Sequence, residues 1–201
     1  LSVDEIGLCE VALGRKIKAL IEAPPEGALG LKRVDTLYPE QEDAVRLLLR
    51  SRCAALSGLP GTGKTRVIRS LYASLRAAGL RVALCAFTGA AASRMGEAVG
   101  ARAYSTIHAL LGYDGEGFAH HQTNPLDVDA VVMDEAGMTD IPLAWCLFRA
   151  LPPHCRIYCV GDPNQLPSIG EGYFFGDMIE VVPHAALTTV RRTEEGGPIG
   201  E

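Results

Sequence analysis

A glycine-rich segment in the first third of the chain carries residues whose types and spacing suit phosphate chemistry. Residues 58–65 read GLPGTGKT, a complete G-x-x-x-x-G-K-[ST] pattern. Such a backbone wraps a phosphate group, the ammonium of Lys64 reaches the outer phosphates, and the hydroxyl of Thr65 is a ligand for Mg²⁺. An apolar segment precedes the pattern and a helical one follows it. We therefore predict a nucleotide site that also includes Gly58, Pro60, Gly61, Thr62 and Gly63.

A pair of carboxylates follows an apolar segment in the second half of the chain. Residues 131–135 read VVMDE. Asp134 would hold the Mg²⁺ shell, and Glu135 would orient or deprotonate the water that attacks the outer phosphate. A strand that ends in Asp-Glu is a weak signal alone, because many strand ends are simply solvated. Hydrolysis needs both a metal carboxylate and a base that directs water, so the pair and the glycine-rich segment together predict a hydrolase.

A third polar segment, residues 160–167, reads VGDPNQLP and also follows an apolar run. The amide of Gln165 at this place can sense the outer phosphate or its water. Without the other two motifs, the same residues would be interpreted as an Asp-Pro-Asn turn.

The elements that must position these residues follow a repeated strand, loop, helix pattern from Cys53 onward. We predict strands at 53–57, 81–86, 129–134, 156–161 and 185–190, and helices at 64–78, 90–99 and 141–151. Near-continuous apolar strands that alternate with helices predict an α/β fold with a mostly parallel sheet of five or slightly more strands, covered by helices on both faces. Ligands bind such sheets at the carboxyl ends of the strands, where all three polar segments lie.

Two regions stand outside this alternation. A helical apolar period covers residues 4–22, a Pro-Gly linker follows, and a second helix begins near Pro39. Residues 113–127 are polar and turn-rich, and predict a small β-hairpin, with a plain surface loop as the alternative. We therefore expect an N-terminal helix and linker at 1–36 and an ATPase domain at 37–201, with the hairpin inserted at about 113–128.

Composition limits the classes of protein that remain. The chain has 201 residues, 48% hydrophobic and 21% charged, which excludes disordered, collagen-like and coiled-coil proteins. Its apolar runs are far shorter than a membrane span of about 20 residues, so no membrane partner is expected. The net charge of −5 argues against a basic surface overall but allows a local basic groove for nucleic acid. None of the six cysteines forms a C-x-x-C pair, which predicts free thiols and a cytoplasmic location.

The order of these motifs resembles that of superfamily 1 helicases of the RecD-like, five-prime to three-prime branch. Residues 85–92, CAFTGAAA, and 104–112, YSTIHALLG, are similar to two DNA-contacting motifs of that family. Residues 187–192, LTTVRR, are similar to its fourth ATPase motif, and Gln41 matches its adenine-reading glutamine. The similarity runs from about residue 10 to residue 193. Departures are Phe87 for the usual proline, Ala90 for a frequent lysine, and Arg191 for an aromatic residue that stacks on adenine.

The resemblance implies a RecA-like P-loop NTPase fold and the first motor domain of a DNA helicase. Such a helicase uses ATP and Mg²⁺ to move 5′–3′ along single-stranded DNA and to separate duplexes, in DNA repair and recombination. By resemblance, Arg192 reaches the γ-phosphate, the hairpin acts as a strand-separating pin, and the DNA contacts are Phe87, Thr88, Ser105 and His108. The implied partners are single-stranded DNA, a second RecA-like domain in a longer parent chain and a multisubunit repair nuclease.

Alternative functions differ in what the nucleotide does. One is a nucleotide- and single-stranded-DNA-binding module of a non-helicase P-loop ATPase. Another is a P-loop kinase, which is disfavoured because Glu135 adjoins Asp134 in the manner of a hydrolase and no acceptor-site motif is visible. Because the chain ends just after the fourth motif, we expect these 201 residues alone to lack helicase activity.

Overall fold

The computed structural model describes residues 3–23, 27–165, 170 and 172–190. The strands within them are β1 (Cys53–Gly58), β2 (Val82–Ala86), β3 (Ser105–Thr106), β4 (Ala130–Asp134), β5 (Arg156–Gly161) and β6 (His184–Leu187). All pair in parallel in a single sheet, in the order β3-β2-β4-β5-β1-β6. The predicted α/β class is confirmed. Five of these strands were predicted, and the additional one is β3. It has only two residues, which is too short for a recognisable hydrophobic pattern in the sequence.

The helices cover both faces of this sheet, as predicted. They are α1 (Val3–Glu22), α2 (Pro39–Arg50), α3 (Lys64–Ala77), α4 (Gly89–Val99), α5 (Ile107–Leu110), α6 (Ile141–Arg149) and α7 (Phe174–Ile179), with a 3₁₀ turn at Ala136–Met138. The predicted helices match to within two residues at each end. The sequence did not predict α5, α7 or the 3₁₀ turn, because each is too short to show a hydrophobic period.

The apolar side chains form two cores, one on each face of the sheet, because successive side chains along a strand point to opposite faces. On β4, Val131 and Met133 join the core beneath α1, α6 and α7. Their neighbours Ala130 and Val132 join the core beneath α2, α3 and α4. Because successive strand residues point to opposite faces, a continuous apolar strand supplies both cores at once. The sheet is therefore rigidly held from both sides, and its strand ends can position polar groups.

Helix α1 belongs to the first of these cores. Its buried residues Leu13, Ile17 and Leu20 pack in the same cluster as Leu147 and Phe148 of α6. The predicted division at residues 36 and 37 stays a prediction about domain organisation. Within the described residues, every helix is too short or too polar to serve as a membrane span.

Strand β6 ends three residues before the predicted boundary at residue 190. The backbone N–H and the hydroxyl of Thr188 donate to the Glu40 carboxylate, at 2.6 and 3.1 Å. Two residues further on, Val190 packs over Gly61, with its Cγ1 atom 3.5 Å from where a Cβ on that glycine would lie. The pairing of β6 with β1 ends at Leu187, which lies opposite Gly58. Beyond Leu187, these contacts lead the chain away from β1 and across the glycine-rich loop.

The insert at residues 113–127 forms a tight antiparallel turn with little regular strand. Tyr113 and Phe118 form a β-bridge, and the carboxylate of Asp114 accepts hydrogen bonds from the N–H groups of Glu116 and Gly117, at 2.9 and 2.8 Å. Helix α5 ends at Leu110, shortly before this turn.

Candidate active site

The glycine-rich loop connects β1 to α3 and closes tightly on itself. A Cβ atom on Gly58 would lie 2.6 Å from Oγ1 of Thr62, and one on Gly63 would overlap the amide of Gln41. Gly61 and Gly63 also have φ of 81° and 89°, in the left-handed region that favours glycine. The Thr62 hydroxyl donates to the Leu59 carbonyl at 2.8 Å and fixes the turn. Sterics therefore require glycine at the positions where the sequence has it.

Gln41 is buried beneath this loop. Its side-chain amide donates to the carbonyl of Thr62 at 3.1 Å, and its carbonyl oxygen accepts from the N–H of Tyr38 at 3.2 Å. The side chain thus ties the first turn of α2 to the loop. This supporting contact was not predicted, since only the adenine role was. Adenine recognition by Gln41 stays a prediction.

Lys64 begins α3, and its ammonium lies over the loop. It donates to the carbonyls of Gly58 and Leu59, at 2.5 and 3.2 Å. Burial lowers the pKa of this ammonium, and the charges of Asp162 and Asp134 act in the opposite direction. Two strand ends therefore place carboxylates within electrostatic reach of the lysine. Because its hydrogen-bond partners are neutral carbonyl oxygens, the ammonium can turn toward a phosphate.

The paired carboxylates Asp134 and Glu135 end β4 with very different surroundings. Burial raises the pKa of Asp134, while a hydrogen bond from the Glu135 N–H, 2.9 Å from Oδ1, lowers it. Glu135 has φ of 54° and is the one non-glycine residue with positive φ in the part of the chain described. Strained backbone of this kind concentrates at functional sites.

The Glu135 carboxylate is held by two side chains from the neighbouring β2–α4 segment. The hydroxyl of Thr88 donates to Oε2 at 3.2 Å, and the guanidinium of Arg94 donates to Oε1 at 2.8 Å. The strand register explains the contact, because Ala86 pairs with Asp134 and the two chains leave the sheet side by side. Arg94 was not predicted as a site residue. The only sequence signal for it is its place on the helix that follows Thr88.

The β5 end brings a further unpredicted group to the site. Asp162 is buried, and its carboxylate accepts from the N–H of Asn164 at 2.9 Å. Gln165, the predicted phosphate sensor, is exposed, and its backbone N–H donates to the carbonyl of Asp162 at 3.2 Å. The Gly-Asp step directly after a buried strand was a signal for Asp162. Arg192 lies outside the described residues.

The four predicted DNA contacts fall on one edge of the sheet, at β2 and β3. Ser105 pairs with Cys85 in the sheet, just before Phe87 and Thr88. His108 is exposed on α5, and its ring lies 5.6 Å from that of Tyr113 and 5.9 Å from that of Phe118. It is therefore not a buried core histidine. DNA contact by these residues stays a prediction.

Hydroxyl and carboxylate oxygens suit a hard cation such as Mg²⁺. Thr65 is exposed in the first turn of α3, and Asp134 is a partly buried carboxylate whose negative charge is disfavoured by its surroundings. A divalent cation would stabilise that charge. The two residues therefore fit the ligand roles predicted for them.

Comparison with known proteins identifies the family. A family model described as an AAA domain matches residues 41–171, which include the glycine-rich loop, both carboxylates and Gln165. The chain belongs to this AAA domain family. The resemblance to RecD-like helicases is confirmed by the curated relatives that the chain matches.

Two curated relatives illustrate the relationship. The ATP-dependent RecD2 DNA helicase of Deinococcus radiodurans is 36% identical over 197 residues, which cover 94% of this chain and 27% of the relative. The RecBCD enzyme subunit RecD of Mycolicibacterium smegmatis is 34% identical over 225 residues, which cover 98% of this chain and 40% of the relative. The chain thus spans well under half the length of these relatives.

Solved structures support the fold. The crystal structure of the Pif1 helicase from Candida albicans matches 81% of this chain and 42% of its own, with a TM-score of 0.61 and 23% identity. At that identity the likeness shows the RecA-like P-loop fold of this AAA domain family member and nothing finer.

Proposed function

We propose that this chain is the first RecA-like motor domain of a DNA helicase that couples Mg-ATP hydrolysis to 5′–3′ movement on single-stranded DNA and to duplex unwinding. The observation that carries the proposal is the meeting of Lys64, Asp134 and Glu135 at the carboxyl ends of β1 and β4. The relatives support the same class, since their names are those of ATP-dependent DNA helicase and RecBCD subunits.

The chemistry follows from the charges at this site. The loop backbone between Gly58 and Gly63 would receive the inner phosphates, and Lys64 would swing from its carbonyl partners to the outer ones. Its lowered pKa reflects burial, and phosphate charge would favour the ammonium again. Glu135 would accept the proton of the attacking water or hold that water in line.

Thr65 and Asp134 would hold Mg²⁺. The ion, when bound, neutralises charge on the phosphate oxygens. Asp134 contributes a carboxylate that the fold has already moved partly out of solvent, so its charge is poorly hydrated before any cation binds. Such a group binds a cation more strongly than an exposed one, because little water must be displaced.

Three residues would complete the nucleotide site. Gln41 would read adenine from beneath the loop, Gln165 would sense the γ-phosphate, and Arg192 would reach the same phosphate. The position of Val190 over Gly61 supports the last role, because it brings the chain to the loop two residues before Arg192.

The DNA site would lie on the β2–β3 edge, with Phe87, Thr88, Ser105 and His108 in contact with the strand. The partners would be single-stranded DNA and a second RecA-like domain in a longer parent chain. The RecBCD subunit names of several relatives also support a multisubunit repair nuclease as a partner. We propose a cytoplasmic location for the parent.

The test is steady-state ATP hydrolysis by the longer parent protein, with and without single-stranded DNA. Glu135→Gln should retain ATP affinity by calorimetry and lose about 10²- to 10⁴-fold in turnover, the usual loss when a general base is removed. Lys64→Ala should lose Mg-ATP binding while the fold remains intact.

The control variants are Lys18→Ala and Glu22→Gln, which remove an exposed ion pair on α1. Both should leave hydrolysis unchanged. Turnover of Glu135→Gln within a few-fold of the wild type would show that another residue directs the water. Unchanged nucleotide affinity in Lys64→Ala would contradict the site itself.

A further inference from the structure

Arg94 has no role in the hydrolysis scheme above, yet it contacts the residue on which that scheme depends. Its guanidinium donates to Oε1 of Glu135 at 2.8 Å, while Thr88 donates to Oε2. Both oxygens of the proposed water-directing carboxylate are therefore engaged by groups that lie outside the nucleotide loop. A carboxylate in this state has a lone pair left for water, but its orientation is set by Arg94 and Thr88.

The two holding groups belong to the segment that we assign to DNA. Thr88 caps the N-terminus of α4, accepting from the N–H of Ala91 at 3.2 Å, and Arg94 lies on the same helix. The Arg94 side chain is 69% exposed, whereas that of Glu135 is only 23% exposed. The guanidinium therefore faces solvent at the DNA edge and reaches inward to the carboxylate.

The backbone at Glu135 leaves the carboxylate dependent on such contacts. The residue adopts φ 54° and ψ 38°, and the 3₁₀ turn that follows is closed by a hydrogen bond from Met138 N–H to the Glu135 carbonyl at 3.0 Å. The peptide is thus fixed, and a change at the site must come from the side chain. Loss of the Arg94 contact would free one oxygen while Thr88 still holds the other.

We propose that Arg94 is a positioning residue that exchanges between Glu135 and a phosphate of single-stranded DNA. The proposal rests on the function given above. When a DNA phosphate takes the guanidinium, Oε1 of Glu135 is released to orient the attacking water. Arginine suits this exchange, because its planar fork pairs with carboxylate and phosphate oxygens alike. Coupling of this kind is reciprocal, so nucleotide turnover and DNA affinity share the same residue.

The test compares Arg94→Ala and Arg94→Lys with the wild type in the parent protein. Exposed ion pairs are weak, so releasing Glu135 should raise the DNA-free ATPase rate by about fivefold at most. The DNA-stimulated rate should change little, and the stimulation ratio should therefore fall. Arg94→Lys keeps the charge and should restore part of that ratio.

A second measurement does not depend on hydrolysis. The slope of log affinity for single-stranded DNA against log salt should become shallower by about 0.7 in Arg94→Ala, the amount expected for one lost phosphate contact. The matched control is Arg46→Ala, because Arg46 is also a helical arginine and its Nη2 lies 2.7 Å from Oε1 of Glu42. The control should alter neither the ratio nor the slope.

Two results would overturn the proposal. A proportional fall of both ATPase rates in Arg94→Ala would make the arginine an activating group, and an unchanged salt slope would mean that it does not contact DNA. Failure of the proposed function would look different, because the wild type would then hydrolyse ATP no faster than Lys64→Ala does.

Discussion

Glu135 shows how much of this site is decided by single residues. Its left-handed backbone costs about 1–3 kcal/mol in free energy relative to a relaxed residue. The backbone N–H of Glu135 donates to the Asp134 carboxylate. Thr88 and Arg94 donate to the side-chain carboxylate of Glu135. The sequence predicted the two carboxylates from their types. It could not predict the strain or the arginine contact, because both depend on how β2 and β4 lie together.

Asp134 gives a prediction at the same scale. Asp134→Asn should raise the thermal midpoint of the metal-free chain at neutral pH by a few degrees and abolish Mg-dependent hydrolysis. The pKa of Asp134 is raised by burial, so the folded chain carries a charge that it disfavours. A gain of about 1 kcal/mol corresponds to about 2–4 °C for a chain of this size. In the Asp134→Asn variant, Asp162 still provides a negative charge near the ammonium of Lys64.

The pH dependence of this effect has a definite sign. A carboxyl whose pKa is higher in the folded chain binds its proton more tightly there, so folding is penalised only while the group is ionised. The stability gain of Asp134→Asn should therefore shrink as the pH falls through the folded-state pKa of Asp134. Thermal unfolding near pH 7 and near pH 4 would measure it, with the exposed Asp43→Asn as control. Equal midpoints for variant and wild type near pH 7 would contradict the idea.

The elements were predictable wherever a pattern is long enough to repeat. Strand β5 was predicted to the residue, because six buried positions in a row leave little alternative. Strand β3 and helix α7 were not, since two and six residues carry no clear period. The end of β6 was misplaced for another reason. Residues 188–190, the last three of the predicted strand, are all β-branched, which favours a strand. However, the backbone N–H of Thr188 donates to Glu40, and the chain turns away from the sheet there.

The turn at residues 113–127 yields a prediction for a whole element. Deleting residues 115–118 in the parent should preserve DNA-stimulated ATP hydrolysis and abolish duplex separation. The element projects from α5, and its exposed tip is ordered by Asp114 and by the packing of Tyr113 on Phe118, whose ring centroids lie 5.2 Å apart. A strand-displacement assay and an ATPase assay on the same samples would decide the matter.

Two outcomes of that deletion would count against a strand-separating pin. Loss of both activities would mean that the element supports the fold or the DNA site, since His108 packs against Tyr113 and Phe118. Retention of both would mean that strands are separated elsewhere. Phe118→Ala is the milder companion variant, because it removes one ring and leaves the turn.

At the scale of the whole molecule, charge and size set what the chain does alone. A net charge of −5 opposes DNA, so the proposed DNA binding would have to come from a local edge of the sheet. The chain spans 27% and 40% of two relatives, and the resemblance places further ATP ligands on a second domain. Whole-chain composition predicted the globular class correctly, but composition carries no geometry and therefore does not indicate where a site lies.

We therefore predict that residues 1–201 alone bind nucleotide weakly, hydrolyse it slowly and unwind nothing. Arginine groups supplied across an interdomain cleft contribute about 10³- to 10⁵-fold in phosphoryl-transfer rate. Single-turnover ATP hydrolysis and a helicase assay on a tailed duplex would measure both properties. Robust strand separation by the monomeric 201-residue chain would show that the motor is complete within it.

The hydrogen bond between Thr188 and Glu40 can be followed by nuclear magnetic resonance spectroscopy. The backbone N–H of Thr188 donates to the Glu40 carboxylate, with 2.6 Å between the nitrogen and Oε1, although Thr188 is exposed. A proton in a short, charge-assisted hydrogen bond resonates downfield of ordinary exposed amides and exchanges slowly with solvent. The same bond lowers the pKa of Glu40, so the resonance should move only at acidic pH. Because Val190 lies over Gly61 two residues later, this single nuclear magnetic resonance signal would report when a nucleotide displaces the chain above the loop.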